Sequence, residues 1–113
     1  MRPQSVPEVP AEQVPDGAVL LDVRESDEWA AGHAPQAVHV PMTDVPARLD
    51  QIGAVAGDRM VHVVCRSGGR SAQVTAYLAQ AGWEAVNVGG GMKAWAAASR
   101  PMVAESGVEP RVA

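Results

Sequence analysis

Val63-Val64-Cys65-Arg66-Ser67-Gly68-Gly69-Arg70-Ser71 combines the residue types of a sulfur nucleophile. The only cysteine of the chain follows an apolar, β-like run and opens a short loop of Gly, Ser and Arg. A helix-like pattern begins directly after it. A thiol in that position faces backbone N–H groups, a helix N-terminus and two guanidinium groups, each of which favours thiolate over thiol. Gly68 and Gly69 permit the backbone angles that let successive N–H groups converge on one point. Arg66 and Arg70 supply charge for an oxyanion. The cradle Arg66, Ser67, Gly68, Gly69, Arg70 and Ser71 therefore suits a thiolate or a persulfide, together with a small anion. A lone cysteine after a buried strand can also be a small core hydrophobe. Packing, however, has no use for two cations beside it.

Cysteine-dependent phosphatases and arsenate reductases use similar parts. Here four residues separate Cys65 from Arg70, one fewer than in that phosphatase class, and Val64 stands where many such phosphatases carry His. A shorter loop encloses less space and suits a single sulfur atom better than a tetrahedral phosphoryl group.

The elements that must position this loop are legible in the pattern. Val19–Val23 is a nearly continuous apolar run, as in a strand covered on both faces. A short helix is predicted next, with Ser26 as cap and Gly32 as its end. Ala37–Val40 reads as a strand between prolines. Thr43 is placed to cap a second helix carrying Val45, Leu49 and Ile52, ended by Gly53. Val61–Val64 is a strand, and a helix from Arg70 follows with Val74, Tyr77, Leu78 and Ala81 on one face and Gly82 beyond its end. Ala85–Val88 is a strand, after which Gly89-Gly90-Gly91 turns into a last helix through Trp95. The proline-rich start reads as an edge strand with one helical turn at Ala11–Val14. Strands alternating with helices predict an α/β fold: a small parallel sheet of about five strands, with helices on both faces. Reactive groups then collect at the carboxyl ends of the strands, where Cys65 lies.

The whole chain of 113 residues reads as one domain, with a core over about 6–101 and a loosely held tail over 102–113. A net charge of −4 with no basic stripe argues against nucleic-acid binding. No apolar run reaches membrane-spanning length. The start shows no signal-peptide core, so a cytoplasmic location is expected, where a free thiol stays reduced. His33, His39 and His62 share no metal-ligand spacing, and no metal or other cofactor is expected. His62 reads as a structural histidine, and Trp29, Trp83 and Trp95 as packing. Asp22 and Arg24 read as an ion pair that fixes loops. The acidic residues around Ser26 read as a helix start.

At this point the chain resembles a single-domain rhodanese, a sulfurtransferase, from about Val6 to Pro101. Cys65–Arg70 with Ser71 matches that family's active loop. Leu21-Asp22-Val23-Arg24 matches its early strand, Glu28-Trp29 and Gly32-His33 the stretch after it, and Gly90-Gly91-Met92-Lys93-Ala94-Trp95 its closing G-G-x-x-x-W. Ala34-Pro35-Gln36-Ala37 departs from the usual Ile-Pro-Gly-Ala, and His39 stands where Asn is common. The resemblance implies that Cys65 takes sulfur from thiosulfate or a similar anionic donor as a persulfide. It then passes the sulfur to cyanide, a thiol or a protein acceptor. With no second cysteine, the acceptor must come from outside. A rhodanese-like domain that only docks on a partner or senses oxidants is the non-enzymatic alternative.

Overall fold

The structure, a computed structural model, describes residues 6–105 and 107–113. Five strands, β1 (Glu8–Pro10), β2 (Val19–Asp22), β3 (Val38–His39), β4 (Val61–Val64) and β5 (Ala85–Gly89), form one sheet in the order β1-β5-β4-β2-β3. Every pairing in it is parallel. Among the described residues four α-helices accompany it: α1 (Ser26–Ala31), α2 (Leu49–Ala56), α3 (Gly69–Gln80) and α4 (Gly91–Ala97). This is the expected parallel α/β architecture.

The strand side chains alternate between two cores. Val19, Leu21, Val61 and Val63 point to one side, where Ile52 and Ala56 of α2 and Val74 and Leu78 of α3 cover them. Leu20, Val64 and Val88 point to the other, against Met92 and Trp95 of α4 and Ala11 of a short 3-10 turn. All four residues of β2 and of β4 are buried, which is why both read as continuous apolar runs rather than alternating ones.

The segment after β3 departs from expectation. A 3-10 helix spans Met42–Arg48 and only then does α2 begin, to be ended by Gly57 rather than Gly53. Pro46 lies inside the 3-10 stretch. Its ring and missing N–H prevent one α-helix from running through. Gly53 instead sits within α2, where the Trp83 ring lies over it, 3.4 Å from where a Cβ would be. At α1 the cap is Glu25, not Ser26. The Glu28 N–H donates to the Glu25 side chain, and Glu28 Oε1 accepts from the Glu25 N–H at 2.9 Å. Gly32 ends α1 and Gly82 follows α3, both as expected.

Two arrangements, one buried and one partly exposed, tie the loops at the carboxyl end of the sheet. Asp22 and Arg24, both fully buried, form a two-point ion pair, and Arg24 Nη2 also donates to the Gly32 carbonyl at 2.8 Å. The loop after β2 is thereby joined to the end of α1. Trp29 stacks with His33 and with His39, at centroid distances of 3.5 and 4.8 Å. The tail, read from sequence as loosely held, makes specific contacts. Val103 and His33 exchange two backbone bonds of 2.9 Å, and the Arg111 N–H donates to the Ala31 carbonyl. Among the described residues no helix is long and apolar enough to cross a membrane.

Candidate active site

Cys65 leaves the carboxyl end of β4 with its side chain buried. The chain then curls over the sulfur. The Gly68 N–H donates to Sγ at 3.1 Å, and Ser71 Oγ lies 3.2 Å from it. Gly68 is the N-cap of α3 and has φ +115°. No Cβ clash enforces glycine there; the backbone angle does, since L side chains rarely adopt it. That angle turns the loop so that α3 starts with its N–H groups toward the sulfur.

Burial is the largest single influence on the Cys65 thiol, and it disfavours ionisation. The Ser71 hydroxyl and the N–H groups of Ser71, Gly68 and Ser67 together outweigh it, so the thiol ionises below its ordinary value. Hydrogen bonds aimed at the sulfur, more than the guanidinium groups, thus account for the activated thiol.

The two arginines are placed differently. Arg66 is exposed, and its Nε donates to the Ala113 carbonyl at 2.9 Å. Arg70, in the first turn of α3, forms a two-point ion pair with Glu28 of α1, both bonds 2.8 Å. The Arg70 bonds hold the Glu28 carboxyl down at about 2, against the opposing effect of burial, while Glu28 in turn raises Arg70. Ser67 and Gly69 are exposed at the rim, and Ser71 is fully buried beneath the sulfur.

The loop rests on the neighbouring elements. The Met92 N–H donates to the Cys65 carbonyl at 2.8 Å and the Lys93 N–H to the Arg66 carbonyl at 3.0 Å. A Cβ on Gly91 would run into the Cys65 carbonyl oxygen and come within 2.6 Å of the Arg66 carbonyl carbon. The triple glycine thus brings the start of α4 against the loop. Three residues join the site that sequence reasoning passed over or read otherwise. Glu28 reads as a helix-start acid. Asn87 and Glu8 belong to no motif, although a lone Asn within Ala85-Val86-Asn87-Val88 is a polar residue in a buried strand and a signal in itself. Among the described residues no cluster of three or more His, Cys, Asp or Glu side chains is placed to share a metal ion.

The family model of the rhodanese-like domain matches residues 6–98. The chain belongs to that family. Two curated relatives agree with it. A Bacillus subtilis protein, YtwF, whose name assigns it provisionally as a sulfurtransferase, is 44% identical over 82 residues, covering 73% of this chain and 77% of its own length. A sulfurtransferase of Allochromatium vinosum is 42% identical over 93 residues, covering 81% of this chain and 84% of its own. Among solved structures, a rhodanese-related protein of Thermoplasma volcanium aligns with a TM-score of 0.79 at 26% identity, covering 88% of this chain and all of that one. The rhodanese-like fold accounts for the parallel sheet and for the loop at the end of its central strand.

Proposed function

We propose that this rhodanese-like chain is a cytoplasmic, single-domain sulfurtransferase that carries sulfane sulfur on Cys65. The observation that carries this reading is the sulfur itself: buried, ringed by N–H donors and a hydroxyl, and biased toward thiolate. The Cys65 thiolate attacks the outer sulfur of thiosulfate or a similar donor. The donor's S–S bond breaks and sulfite leaves with the electron pair, so that Cys65 holds a persulfide. An acceptor nucleophile then attacks the outer sulfur and Cys65 returns as thiolate. Cyanide leaves as thiocyanate; a thiol loses its proton and leaves as a persulfide. The loop N–H groups of Arg66 through Ser71 stabilise the sulfur anion, and Arg66 and Arg70 draw the anionic donor in. The names of the two curated relatives support sulfur transfer as the activity class.

One observation favours a relay variant of this reading. Both arginines are engaged within the chain, Arg66 with a backbone carbonyl and Arg70 with Glu28. A persulfide donor needs less cationic attraction than the dianion thiosulfate does.

The test is to incubate reduced protein with thiosulfate, then with a small persulfide, and to weigh it intact. A gain of one sulfur on the native chain, reversed by cyanide and absent in Cys65→Ser, is the expected result. A gain only from the persulfide would make it a relay protein. No gain from either would overturn the reading in favour of a docking or sensing module.

A further inference from the structure

Ser71 has one hydroxyl proton and two acceptors in reach. Asn87 Oδ1 lies 2.5 Å from its Oγ, and Cys65 Sγ lies 3.2 Å away on another side. The Asn87 carboxamide is not free to choose its orientation. Its Nδ2 donates to Glu8 Oε1 at 3.1 Å and to the Gly68 carbonyl at 3.3 Å. Turning the amide over would set its oxygen against a carboxylate and a carbonyl, neither of which has a proton to give. Glu8 and Asn87 are Cα partners in the β1–β5 register, so the sheet itself holds the two side chains together.

The consequence differs between the two states of the sulfur. With a neutral thiol the network is complete: S–H donates to Ser71 Oγ, whose own proton goes to Asn87. With a thiolate it is not. A hydroxyl still donating to Asn87 presents lone pairs to the sulfur anion. A hydroxyl turned to the sulfur leaves the buried Asn87 oxygen unpaired. We propose that Asn87, oriented by Glu8 and the Gly68 carbonyl, is a positioning residue that competes with Cys65 for the Ser71 proton and thereby restrains ionisation of the thiol. The inference rests on the reading of Cys65 as the reactive thiol.

Other charged groups surround the loop. Arg66 lies on the loop, Arg70 with Glu28 on α3 and α1, Lys93 on α4, the Asp22–Arg24 pair at the end of β2, and Glu8 on β1. A loss of charge at Glu8 therefore has to be separated from a release of the Ser71 proton. A double-mutant cycle does this.

The experiment follows the ultraviolet absorbance of the thiolate against pH, with iodoacetamide alkylation as a second readout, in the full chain and in Asn87→Ala, Ser71→Ala and the double variant. Asn87→Ala is expected to move the titration to lower pH, with roughly tenfold more thiolate on its acid side. Ser71→Ala moves it to higher pH. The double variant should match Ser71→Ala, because without the hydroxyl there is no proton to compete for. No shift, or an upward shift, in Asn87→Ala overturns the proposal, as does an effect of equal size in the Ser71→Ala background. Glu8→Ala, at an exposed site, repeats the test if Asn87→Ala does not fold. A downward shift that vanishes without Ser71 supports the proposal, and one that persists there is a charge effect and overturns it. The titration reads the thiol directly, so the sulfur-gain measurement can fail without it, and the reverse.

Discussion

Glu28 links the stability of the molecule to its chemistry. Its carboxylate closes the cap of α1 and neutralises half of the positive charge at the loop. Its folded-state value of about 2 lies below the ordinary 4.5, so this contribution is fully present above the ordinary value and is lost as pH falls toward 2. Glu28→Gln should cost on the order of 1–2 kcal/mol at pH 7, allowing for partial exposure of the pair. It should also flatten the acid limb of stability between those two values, as read from denaturant midpoints at several pH values. The same substitution frees Arg70. We expect the half-saturating thiosulfate concentration to fall about two- to threefold with turnover little changed, which steady-state kinetics would check.

At the level of elements, the start of α4 and the loop after β4 form one unit, since the α4 N–H groups satisfy the carbonyls of Cys65 and Arg66. Gly91→Ala should therefore cost about 2 kcal/mol or more, lowering the midpoint of thermal unfolding by about 10 °C. Gly57→Ala shares the positive φ but meets no neighbour within 4 Å, so it should cost about half as much in the same measurement. The sheet, its order of helices and the sulfur-bearing loop were legible in the sequence because each follows from local pattern: apolar runs, turn glycines, and a Cys between strand and helix. What the pattern did not carry is pairing between distant segments. Arg70 looks like a free cation until α1 brings Glu28 to it across 42 residues. Asn87 stands out as a polar residue in an apolar strand, but its partner is not visible until the fold sets Ser71 on it. The break at Pro46 is the one local signal that the helix reading passed over.

At the scale of the molecule, the tail acts as a strap across the end of α1 and the rim of the loop. Arg111 covers Gly32 so closely that a Cβ there would lie 2.7 Å from its backbone nitrogen. Met102 and Val112 add to the core that holds Trp95. Truncation after Pro101 keeps the Trp95 Nε1 bond to the Pro101 carbonyl but removes the backbone exchange with His33 and the carbonyl that holds Arg66. Circular dichroism should show the thermal midpoint lowered by about 5–10 °C with helix content otherwise kept.

The strand order has a consequence in time as well as in space. Among the described residues β1 is the first strand of the sheet and pairs only with β5, the last. During synthesis β1 has no partner in the sheet until β5 has been made, and the loop closed between Glu8 and Asn87, 79 positions apart, is a long one. An unfinished chain can already carry its thiol but not the strand that restrains it. Docking of β1 on β5 is therefore the step at which a merely collapsed chain becomes one with a governed sulfur.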